Sequence, residues 1–134
     1  MSGNTSPIFP AVPHIGSVSV IGASALTART AITGTTGLTS LNFAAGSNGS
    51  RVDLIRCVST GTTLAGNIGI WIYDATTSRL YCEIAIAATT VSTVLDYEVE
   101  RAFSNLVLPS GSSLYASSQV ASQLIGIHVL GGDF

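Results

Sequence analysis

Apolar and polar residues alternate along most of the chain in runs too short for helices, and Gly, Ser, Thr and Asn separate the runs. A period of two marks half-buried strands, and no stretch keeps the 3.6-residue period of an amphipathic helix. The clearest case spans residues 67–86. Ile68, Ile70 and Ile72 face one way, with Trp71 and Tyr73 on the other, and a polar link over 74–78 turns the chain. Leu80, Cys82, Ile84 and Ile86 then return to the core, opposite Arg79, Tyr81 and Glu83. The pattern predicts a β-hairpin.

Further runs flank it. Residues 15–21 alternate small and apolar side chains, and 38–44 lead into the turn-rich Gly46-Ser47-Asn48-Gly49. Residues 51–59 continue as a strand whose apolar positions alternate less strictly. Over 94–103, Leu95, Tyr97 and Val99 oppose Asp96, Glu98 and Glu100. Pro109-Ser110-Gly111 marks a turn, with Pro presetting φ and Gly free to take a positive one. Residues 114–118 and 124–130 complete the set. About eight short strands with turn signals between them predict an all-β fold, an antiparallel β-sandwich with jelly-roll character.

Residues 1–14 break this pattern. Pro7, Pro10 and Pro13 recur every three residues around Ile8, Phe9 and Val12. Proline fixes φ and removes a donor, so 1–14 reads as an extended arm ahead of a sandwich domain over 15–134. Apolar side chains on an arm suit packing on a neighbouring subunit, which makes Ile8, Phe9, Pro10, Val12 and Pro13 the candidate partner-binding residues. A disordered tail, or one folded back over its own domain, is the competing reading.

Composition points the same way. Charged residues make up 9% of 134 positions; the chain has no lysine, five arginines and a net charge of −2. An ordinary soluble domain carries about 25% charged residues. A surface so poor in charge suits an assembly component covered by other protein. There is no clustered basic face for nucleic acid. No basic segment is aimed at a membrane surface, and the longest apolar stretches fall far short of the roughly 20 residues of a membrane-spanning helix. The start of the chain has neither a basic region nor a continuous apolar run, so no secretory signal is expected. Cys57 and Cys82 are then expected as reduced thiols in the core, with a disulfide or a metal pair as the alternative.

Reactive groups are sparse, and no enzyme activity or cofactor is expected. His14 lies in the arm, and His128, alternating with Gly126 and Leu130, reads as a packed or rim histidine. Ser is too common here to carry information, and no G-x-S-x-G elbow is present. Asp96, Glu98 and Glu100 would share one strand face at about 6.6–6.8 Å intervals, a spacing open to acid–base work or Ca²⁺. The ordinary expectation is a solvated face paired with Arg51, Arg56, Arg79 or Arg101. The glycine–threonine runs at 34–37 and 61–63 read as turns, since a phosphate loop needs a lysine. Trp71 and the tyrosines 73, 81, 97 and 115 would suit a sugar-binding surface or simple core packing.

The stretch NGSRVDLIRCVSTGTTLAGNIGIWIYDATTSRLYCEIAI, followed by LPSGSSLYASSQ and a final GGDF, resembles small structural proteins of tailed bacteriophages and prophages. In those, a strand opening G-S-R with Val or Ile leads to a T-G-T-T-x-A-G turn. A strand ending in an aliphatic–Tyr/His–Asp step follows, then an L-P-x-G-x-x-L-x-A-S segment and a terminal G-G-D with Phe or Tyr. The resemblance covers residues 46–134. It implies a capsid decoration (cement) protein on the outside of the phage head, made in the bacterial host cytoplasm. The implied partners are the major capsid protein, whose subunits it would bridge, and two further copies in a homotrimer. A tail or head-fibre component is the alternative within the same resemblance. A carbohydrate-binding receptor-recognition module, with a host-surface glycan as partner, is a further one. No catalytic residues come with the resemblance.

Overall fold

The computed structural model describes residues 12–18, 25–90, 92 and 97–134, and these contain nine strands and no helix. The strands are β1 (Val12–Val18), β2 (Ile32–Thr33), β3 (Thr39–Ala44), β4 (Ser50–Ser59), β5 (Gly66–Tyr73), β6 (Thr77–Ile86), β7 (Glu98–Leu108), β8 (Ser113–Ser118) and β9 (Ile125–Asp133). They form two antiparallel sheets, ordered β1-β9-β4-β7 and β2-β6-β5-β8-β3, stacked as a β-sandwich. Val52, Ile55, Cys57, Ile127 and Val129 from one sheet meet Phe43, Ile68, Ile70, Ile84 and Leu114 from the other in a core with almost no exposure. The period-two pattern is what places these residues together: one face of each strand is dry, and the next residue points out.

Among the described strands only β5 and β6 are consecutive and bonded to each other. Their link is held by the Asp74 carboxylate, whose Oδ1 accepts from Thr76 N (3.0 Å), Thr76 Oγ1 (2.8 Å) and Thr77 N (2.8 Å). These hydrogen bonds, the one from Thr77 foremost, hold the Asp74 carboxyl well below the usual carboxylate range. The other expected turns are present as well. Gly34, Gly37, Gly49 and Gly111 all adopt positive φ, and Ser112 N donates to Pro109 O at 3.1 Å.

The hairpin departs from simple alternation at one point. Ile70 stands opposite Cys82 but Trp71 stands opposite Leu80, so Tyr81 is an extra residue in β6. This bulge moves Leu80, expected in the core, to the outer face beside Trp71. Trp71 is nonetheless fully buried, and its Nε1 donates to Ser117 Oγ at 2.8 Å. Its ring lies over Gly69, where a Cβ would come within 2.9 Å of the indole nitrogen. The segment 25–31 runs between β8 and β6. It is tied at one end by Leu26 N to Ser118 O (2.8 Å) and at the other by the Arg29–Glu83 pair.

The two long edges of the sandwich differ. At one, β1 presses on β3: a Cβ on Gly16 would stand 2.5 Å from Leu41 O and 2.8 Å from Asn42 O. Asn42 sits in a β3 bulge at φ 55°, and its Nδ2 donates to Ser17 O at 2.8 Å. At the other edge β7 faces β6 across an opening, and β7 bulges there over Phe103, Ser104 and Asn105 opposite Asp53 of β4.

Candidate functional site

Of the candidate partner-binding residues, Ile8, Phe9 and Pro10 lie outside the described residues. Val12 and Pro13 do not belong to a separate arm. They open β1, with Val12 opposite Asp133 and Pro13 opposite Gly132, and both are exposed. His14 follows in the same strand, so sheet pairing begins three residues before the boundary expected at 14/15.

His14 faces inward. Its ring stacks on Phe43 (centroids 4.2 Å apart, planes 18°), and its Nδ1 meets Asp133 Oδ1 at 2.9 Å. Ser50 Oγ donates to the same oxygen at 2.5 Å and accepts from Gly46 N at 2.9 Å. Ser50 first, then His14, holds the Asp133 carboxyl below its ordinary value. Ser, His and Asp are thus close, but both donors converge on the carboxylate. Nucleophilic catalysis needs the hydroxyl on the imidazole, and that link is missing. The arrangement clamps β1, β4 and β9 together.

The carboxylates of β7 are also committed. Arg56 reaches Glu98 Oε2 at 2.8 Å and Glu100 Oε1 at 3.4 Å, as the solvated-face expectation had it; Asp96 lies outside the described residues. The side chain of His128 is not packed. It is exposed on the outer face of the four-stranded sheet, between Ser17 and Arg56. Cys57 and Cys82 are free thiols; burial pushes Cys57 up to about 12. Among the described residues no three His, Cys, Asp or Glu side chains gather as a metal site.

The feature that stands out is that outer face. Register places Ile15, Leu130, Leu54 and Ala102 in one row across all four strands. The next row is Pro13, Gly132, Arg51 and Val107, and on the other side Ser17, His128, Arg56 and Glu100. Ile15 is 65% exposed and Val107 53%. An apolar row spanning a whole sheet, bordered by ion pairs, has the make-up of a protein-binding face: an apolar centre with a polar rim. Fully covering a side chain as exposed as Ile15 or Val107 contributes up to about 1.5–3 kcal/mol.

Sequence reasoning missed this row. The signal was the doublets Leu54-Ile55, Cys57-Val58 and Val129-Leu130, which put apolar side chains on both faces of β4 and β9. The unpaired Asp53 bulge in β4 then sets Leu54 outward beside Leu130.

No protein family, no curated protein and no solved structure matches this chain.

Proposed function

We propose that this is a non-enzymatic structural protein of a tailed-phage virion, a decoration protein that binds the outside of the head and bridges major capsid subunits. The observation that carries the reading is the Ile15–Leu130–Leu54–Ala102 row, which crosses the full width of one sheet in a chain with 9% charged residues. The resemblance of residues 46–134 to phage structural proteins supplies the kind of partner. The strand order supports it too: leaving out the two-residue β2, four strands β1-β9-β4-β7 face four strands β6-β5-β8-β3, which we read as jelly-roll winding. Many equivalent sites on a shell let modest affinity at each one accumulate.

A homotrimer is part of the proposal. It would bury sheet edges that otherwise invite pairing with other chains. Light scattering behind a sizing column tests it. The expected mass is three times the 13.7 kDa of the chain. A monomer at all concentrations overturns the trimer.

A further inference from the structure

The open edge of the sandwich holds a cleft of about 420 Å³ lined by Tyr81, Cys82, Arg101, Ala102, Phe103, Ser104 and Asn105. It lies between β6 and β7, where the two sheets part. Three observations give it chemical character. First, Arg101 stands opposite Ile55 on the inward side of β7, and its Nη1 spans the gap to donate to Glu83 O at 3.2 Å. That bond uses one of the five donors of the guanidinium. Secondly, Arg29, Arg51, Arg56 and Arg79 are all paired with carboxylates, whereas Arg101 has no such partner among the described residues. Thirdly, Tyr81 is 46% exposed beside Phe103, with ring centroids 5.8 Å apart and planes at 46°. The β7 bulge brings Ser104 and Asn105 to the lip next to these rings. Bulges recur where a strand must re-aim side chains at a site.

From this set we infer that the cleft binds a carboxylate-bearing sugar, of the uronic or sialic acid class. The guanidinium matches a carboxylate with two parallel N–H donors. An exposed tyrosine offers its flat face to the C–H side of a pyranose, and the Ser104 hydroxyl and Asn105 amide supply donors and acceptors for ring hydroxyls. The volume falls within the range of small-ligand sites, about 300–1,000 Å³. This goes beyond attachment to a head. Ala102 borders both the cleft and the apolar row, but the side chains substituted to test the cleft, Arg101, Tyr81 and Asn105, are not part of that row, so each site is testable without the other.

The test is an NMR titration of ¹⁵N-labelled protein with sodium glucuronate and with N-acetylneuraminate, using glucose and sodium acetate as controls. At least one of the two acids should give saturable shifts at Tyr81 and over 101–105, with glucose and acetate binding about tenfold weaker or less. Arg101→Gln and Tyr81→Ala should each weaken that binding about tenfold or more, and Arg101→Lys should keep part of it. Dispersed spectra will show whether the variants fold; if Arg101→Gln does not, Tyr81→Ala and Asn105→Ala carry the test. No saturable shifts with either acid, shifts confined to another surface, acetate binding as well as the sugar acids, or unchanged binding in the folded variants would each overturn the assignment.

Discussion

His14 Nδ1 and Asp133 Oδ1 meet at 2.9 Å across 119 residues of sequence, joining the first described strand to the last. Ser50 and His14 together keep the Asp133 carboxyl below its ordinary 3.8, so the charged form is favoured in the folded protein. A depressed folded value contributes stability above the unfolded value and loses it as pH falls through the folded one. Stability should therefore drop as pH is lowered below about 4, and Asp133→Asn should be less stable at pH 7 with a flatter acid limb. Thermal midpoints of both proteins at pH 7 and pH 3 check this.

Trp71 is a structural residue and not part of an exposed sugar platform, because its ring is buried over Gly69 with the indole N–H bonded to Ser117. Trp71→Ala should cost about 3–5 kcal/mol in urea unfolding. Gly69→Ala should also destabilise, since the new Cβ would crowd Ser117 Oγ, Trp71 Nε1 and Leu80 Cδ1 together.

Gly16 sets the closed edge. Backbone oxygens of Leu41 and Asn42 stand where a Cβ would go, and backbone cannot yield as a flexible side chain can. Gly16→Ala should cost about 1–3 kcal/mol. Amide exchange should quicken over 12–18 while β5 and β6 keep their protection.

The two thiols should react differently. Cys57 is fully buried and pushed up to about 12, while Cys82 is half-buried beside the β6/β7 cleft. Since the thiolate is the reactive form, native protein treated with iodoacetamide should carry its label on Cys82. Cys57 should react only after unfolding; mass spectrometry of the peptides reads the ratio.

Much of the sandwich was legible because period two is written plainly in Ile68-Gly69-Ile70 and Cys82-Glu83-Ile84, and because Asp74 and Pro109-Ser110-Gly111 carry turn chemistry of their own. What alternation does not encode is a register shift. Tyr81 and Asp53 are each one residue extra, and that single residue sends Leu80 and Leu54 to the outer faces. Alternation puts Trp71 on the face opposite Ile70 and Ile72, but its full burial and its bond to Ser117 of β8 come from tertiary packing that no local pattern announces. The two-residue β2 is too short to show a period. The apolar row was invisible for a different reason: Ile15, Leu54, Ala102 and Leu130 come from four strands far apart in sequence, and only the strand order brings them together.

The most direct test of the account is co-sedimentation with phage heads assembled without this chain, comparing wild type with Leu54→Asp and Ile15→Asp. Ile15 is 65% exposed, so Ile15→Asp should keep the thermal midpoint of the wild type, whereas Leu54 is half-buried and Leu54→Asp should melt somewhat lower while remaining folded. A capsid-binding role for the apolar row predicts that wild type pellets saturably with the heads and that the two variants stay in the supernatant. Folded variants that pellet as wild type does, or a wild type that never pellets, would contradict it.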